Sequence, residues 1–170
     1  MKRLVPLIAL AVAAAACNTT GCLDNRNAIP RAAFLSSATG ASVSLNLLQI
    51  HGIGAPGDSI LLKSGEAASE VYLPMRSEHD ITQWCFHYTQ SDISDLAMND
   101  TITFRYRSIP YFASEECGAM YRYDITECST TTHLIDSVVV VDSLITNVDR
   151  VRIRIYFRTD DNDTETAMRK

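Results

Sequence analysis

No apolar run in this sequence is long enough to cross a membrane and stay there: the longest, Leu4–Ala16, has 13 residues, and a spanning helix needs roughly 20. There is no basic excess either. Lys and Arg number 15 against 20 Asp and Glu, a net charge of −5, so the cationic footprint that holds nucleic acid is missing. Neither C-x2-C nor H-x3-H spacing occurs among the five cysteines and four histidines, which argues against a tetrahedral zinc site. The G-x-S-x-G, S-x-x-K and Cys/His signatures of nucleophilic catalysis are absent as well. No segment keeps an amphipathic helical pattern for more than about two turns.

What is present begins at the N-terminus. Lys2 and Arg3, the apolar stretch to Ala16 and small residues before Cys17, with no acid on the way, form a charged region, a short apolar region and a cleavage site. Ala14-Ala15-Ala16 suits ordinary cleavage as well as the pattern that precedes a lipidated cysteine. Parity favours lipidation: with Cys17 acylated, Cys22, Cys85, Cys117 and Cys128 remain, an even number suited to an oxidising compartment. Residues 1–16 are thus expected to be a signal peptide, 17–29 a lipidated tether, 30–158 one β domain and 159–170 a tail without apolar period. Losing Lys2 and Arg3 takes the net charge from −5 to −7.

From residue 32 onward the apolar period is mostly two. Alternating segments occur at 42–48, 82–88, 101–107 and 151–157, and further strand candidates at 59–63, 70–75, 120–126 and 134–142. A short helix capped by Ser91 or Asp92 is expected at 91–98. About eight strands joined by short Gly-, Pro- and Asn-containing turns predict an all-β fold, an antiparallel sandwich of immunoglobulin-like or related kind or a partly closed barrel.

Several segments imitate chemistry. Gly52–Gly57 spells G-x-G-x-x-G, yet a strand follows it, so no helix dipole faces a phosphate. Cys85 and His87 share a strand face near His79, without metal-ligand spacing. Glu115 and Glu116 are neighbours whose side chains point apart in an extended chain, poor geometry for a catalytic carboxylate pair. No catalytic residue, metal or cofactor is therefore expected. If the segment 120–128 runs unbulged, Cys85 and Cys128 both lie on polar strand faces. That favours joining them, and by elimination Cys22 with Cys117, over the other two connectivities, which stay open.

The Cys17 signal with Cys22 close behind, "HGIGAPGDSILL", "VYLPMR", "DTITFRYRSIPYFASEECG", "HLIDSVVVV" and "NVDRVRIRIYF" together resemble an uncharacterised family of signal-peptide-bearing lipoproteins of Bacteroidota, a domain of unknown function. The family more often has Pro where Glu115 stands, which implies that Glu115 is not a catalytic acid. The resemblance implies Cys22 and Cys117 as the family's cysteines, with Cys85 and Cys128 as additions. Four Asp-Ser/Thr-apolar triplets, which place acceptors at Ser59, Thr101, Ser137 and Ser143, resemble the O-glycosylation signal of that phylum, although Asp-Ser is also a common turn-to-strand junction. Asn18-Thr19-Thr20-Gly21 lacks the acids that resemble a surface-export signal, which implies the periplasmic leaflet of the outer membrane. The expected function is a non-enzymatic binding or structural module of the cell envelope, tethered to the membrane by its lipid and facing an envelope protein. The alternative is a glycan-binding or glycan-processing lipoprotein, with Tyr111 and Phe112 as aromatic platforms.

Overall fold

The structure is a computed structural model that describes residues 28–55, 59–91, 95–115 and 118–159. The leader, Cys17, Cys22 and Cys117 lie outside the described residues. The fold is all-β, with ten strands in two sheets among the described residues. One sheet has four strands, in the order β4 (Glu70–Tyr72), β1 (Arg31–Ser36), β10 (Val151–Phe157), β8 (Ile135–Val140). The other has six and curls towards a half-barrel: β3 (Ile60–Leu62), β2 (Leu48–Gly52), β5 (Ile81–Tyr88), β6 (Asp100–Ser114), β7 (Gly118–Thr130), β9 (Leu144–Ile145).

The period-two pattern explains why the sheets face each other. Thr82, Trp84, Phe86 and Tyr88 of β5 and Ile102, Phe104 and Tyr106 of β6 are buried on one face, and Ile153, Ile155 and Phe157 of β10 come from the opposing sheet. Burying each large apolar side chain contributes about 1.5–3 kcal/mol. Phe157 joins the layers directly: its ring centroid lies 5.4 Å from Phe34 in an edge-to-face contact and 6.4 Å from Phe86.

Several expectations change. The segment 42–48 is not a strand. It makes only isolated bridges, Ser42 with Leu35 and Leu45 with Ala68, and the strand starts at Leu48. β1 has no counterpart among the expected strands, because its Ala32 and Ala33 carry little β-propensity; Ala32, Phe34 and Ser36 are nevertheless fully buried. β1 also pairs with β10 in parallel, so the four-stranded sheet is mixed. The intervening chain builds the entire second sheet and supplies the long crossover that a parallel pair needs. Of the expected helix at 91–98, residues 92–94 with the cap candidate Asp92 lie outside the described residues; the described part holds a 3-10 turn at Leu96–Met98, capped by the Asp95 carboxylate, which accepts from Ala97 N at 2.9 Å.

Candidate functional site

After β4 the chain leaves the four-stranded sheet and crosses to β5 through residues 73–80, and two tyrosines fasten this strap. The Tyr106 hydroxyl accepts from Arg76 N and donates to Arg76 O, each at 3.0 Å, and meets Thr82 Oγ1 at 2.7 Å. Tyr123 stacks edge-to-face on Tyr106 at 5.4 Å and donates to Met75 O at 3.4 Å. The strap therefore stands away from β2 and β5 at a fixed distance. Between them lies a cavity of about 260 Å³.

Its walls are mainly apolar: Ile53, Leu61, Pro74, Met75 and Trp84. Most of the polar groups around it are engaged within the protein. Arg76 donates through Nη1 to Gly54 O and through Nη2 to Ile81 O, both at 3.3 Å, and Gln83 Nε2 donates to Thr103 Oγ1 at 3.1 Å. Two buried N–H groups differ: Trp84 Nε1 and Arg76 Nε find no partner among the described residues. Both atoms are closed off from solvent, so the cavity offers an entering group a mainly apolar surface. Its volume falls below the roughly 300–1,000 Å³ of small-molecule pockets, and suits one large side chain.

A second polar centre joins the sheets at the opposite end of β5. Asp100 is fully buried and accepts five hydrogen bonds: from Tyr88 Oη (2.8 Å), Thr131 Oγ1 (2.9 Å) and the backbone N–H groups of His133 (2.8 Å), Leu134 (2.9 Å) and Ile135 (2.8 Å). Burial pushes this carboxyl up, but the bonds from Ile135, His133, Tyr88 and Thr131 outweigh it and hold it below the ordinary carboxylate value. Burial first, and then Asp100, pushes the Tyr88 hydroxyl far up. The cluster pins the crossing from β7 to β8 and has no open side for a substrate. It is a structural joint.

The cysteines depart from the sequence reading. Cys85 and Cys128 are free thiols, because β7 is bulged: Arg105 faces Glu127, whereas Tyr106 faces Ile125. Thr126 is the extra residue, and it turns Cys128 onto the core row opposite Phe104, while Cys85 stays on the outer row opposite Thr101. With β6 between them and opposite faces presented, the two lie beyond the roughly 4.4–6.8 Å Cα reach of a disulfide. Burial, then the charge of Asp100, raises the Cys85 thiol, and burial pushes Cys128 up to about 11. The expected Cys22–Cys117 pair lies outside the described residues.

The other expected sites are scattered. Ser59 and Ser143 are exposed at strand junctions, whereas Thr101 and Ser137 are half-buried within paired strands. Two of the triplet aspartates do structural work: Asp100 as above, and Asp142 by accepting from Leu144 N and holding Arg150 and Arg152. His87 shares the outer face of β5 with Cys85 but bonds Asn99 Oδ1 through Nδ1 at 2.9 Å. The glycine-rich segment leads to β3, not to a helix. Glu115 is exposed in the β6–β7 turn. Sequence reading missed the Arg76–Trp84 cavity, whose only local signal was an aromatic strand following Pro74.

In comparison with known families, the chain matches a family of unknown function (DUF6452) over residues 47–157. The chain belongs to this family. The DUF6452 match takes in β2 to β10 and the whole cavity wall, and it leaves out β1 as well as Cys17 and Cys22. No curated protein and no solved structure matches the chain.

Proposed function

We propose that this DUF6452 protein is a lipid-anchored, non-enzymatic binding module of the cell envelope, held by an acylated Cys17 on the periplasmic face of the outer membrane. In this reading the cavity beneath the Arg76 strap receives one apolar side chain of a protein partner. The observation that carries it is an apolar cavity whose neighbouring polar groups are largely spent internally. Interface hot spots have this character, a desolvated aromatic pocket with few directed polar groups. A glycan would need several free donors and acceptors where this wall offers few. The face of Tyr111, one of the two expected sugar platforms, is already taken by the Arg122 guanidinium at 4.2 Å.

Trp84 is the sole tryptophan and reports on its own cavity. Titration with N-acetyl-leucinamide or N-acetyl-tyrosinamide is expected to change its emission saturably, and Ala55→Phe, which fills the cavity, to abolish the change. Saturation by oligosaccharides with no response to the amides would favour the glycan reading instead. Lipidation has its own test: mass spectrometry of the envelope form should show a chain starting at acylated Cys17, and an unmodified Cys17 would remove the anchor from the proposal.

A further inference from the structure

The solvent face of the four-stranded sheet carries charges that do not balance locally. Its central row runs Glu70 on β4, Ala33 on β1, Arg154 on β10 and Val139 on β8, each paired directly with the next. These residues alternate with the buried Ala32, Phe34, Ile153 and Ile155, so their side chains point away from the core. Leu35 and Tyr156 form the row on one side, and Arg31 and Tyr72 stand on the other. Ala33, Leu35, Tyr156 and Arg31 are half-buried, whereas Glu70, Tyr72 and Arg154 are exposed.

At the β4 edge two carboxylates share one cation. Arg31 reaches Glu70 through Nη1 at 3.3 Å and Asp149 through Nε at 3.5 Å, and Tyr72 Oη donates to Asp149 at 2.9 Å. Arg154 has the opposite condition. Each other described arginine meets a carboxylate, a carbonyl or, for Arg122, the Tyr111 ring. The Arg154 guanidinium alone among the described arginines has no such partner among the described residues.

Surplus negative charge and an unpaired cation thus stand one strand to either side of Ala33, each about 4.8 Å from it. Turning a second copy of the sheet over about an axis along β1 exchanges the two positions. Glu70 of each copy then faces Arg154 of the other, while Ala33 and Leu35 meet their own images. Sheets packed face to face lie about 10 Å apart with their strands nearly aligned, a gap that a glutamate and an arginine together span. Ala33 is small enough at the axis to let the faces approach, and Leu35 adds an apolar contact. A surface that supplies both members of its own ion pair is complementary to a copy of itself, whereas an unrelated partner would have to bring both.

We propose that two copies of the chain associate through this face, in a two-fold contact with reciprocal Glu70–Arg154 pairs flanking Ala33 and Leu35. Exposed ion pairs contribute little energy each, so the association is weak, and the charges set its register more than its strength.

The test places a photoreactive benzoylphenylalanine at position 35 of the full chain produced in cells. An adduct of twice the chain's mass is expected, joined to β1, β4 or β10 of a second copy. Arg154→Glu alone and Glu70→Arg alone should each lower its yield about tenfold or more, since each sets like charges opposite one another. The double variant should restore it, and so should co-production of the two single variants, in which each copy supplies what the other lacks; restoration also shows that the variants fold. No homotypic adduct, an adduct to a different protein alone, a yield indifferent to the charge reversals, or a loss that neither combination restores would each overturn the two-fold contact. None of the exchanged residues lines the Trp84 cavity, so failure here leaves the binding reading intact, and the reverse.

Discussion

Replacing Asp100 tests whether the two sheets are joined as described. Asp100→Ala removes the acceptor of five donors, of which Tyr88 Oη and Ile135 N are in buried bonds, while those of Thr131, His133 and Leu134 are half-buried and can rehydrate. At about 1–3 kcal/mol for each orphaned buried donor, the two buried ones cost about 2–6 kcal/mol. A loss near 4 kcal/mol is expected, a large part of a typical domain's 5–15 kcal/mol. Asp100→Asn keeps one acceptor oxygen and turns an NH2 towards the donors, so it should lose about half as much. Urea unfolding followed by Trp84 emission at neutral pH measures both. Because the folded carboxyl sits below its ordinary 3.8, its stabilisation is complete above that value and drains away as pH falls through the lower folded value. The gap between wild type and Asp100→Asn should therefore narrow below about pH 4. A loss under about 1 kcal/mol at pH 7, the size of an ordinary surface change, would refute the joint.

Other outcomes follow from the same contacts. Tyr106→Phe, which removes two bonds to the strap and one to Thr82 of β5, should cost about 2–3 kcal/mol, against under about 1 for Tyr123→Phe with its single long bond, by the same denaturation assay. Native Cys85 and Cys128 should resist iodoacetamide at pH 7.5 and react on unfolding, since both thiols are raised; non-reducing peptide mapping that joined them would contradict the bulged register of β7. Asp142→Ala removes the carboxylate that holds Arg152, whose side chain is only 4% exposed and keeps Thr146 Oγ1, and should lower stability in the same urea assay. Arg150→Ala, at the exposed end of the same cluster, should cost under about 1 kcal/mol by the same measurement.

The legible part of this fold was the part in which one period fixes one face. β5, β6 and β10 carry aromatic and β-branched residues at alternate positions, and the structure buries those positions. β1 was illegible because two of its six residues are alanines, buried by their neighbours and not by their own propensity. The face of Cys128 was lost at one inserted residue: a period of two reverses at a bulge, and nothing around Thr126 announces one. The parallel β1–β10 pair depends on partners more than a hundred residues apart. Asp100 was visible only as a turn-to-strand aspartate, since its donors lie on β5 and on the segment 131–135. The cavity needs Tyr106 of β6 to fasten Arg76 of the strap, a contact between residues 30 apart that no local pattern carries.

The most direct measurement is site-specific photocrosslinking in cells that produce the full chain. A benzoylphenylalanine at Ile53, on the cavity rim, is set against one at Val148, an exposed residue of the β9–β10 connection outside the cavity lining. The binding reading requires one discrete protein adduct from position 53, absent from 148, lost with Ala55→Phe and lost when Cys17→Ala removes the anchor. No adduct at 53, or the same adducts from both positions, would contradict it.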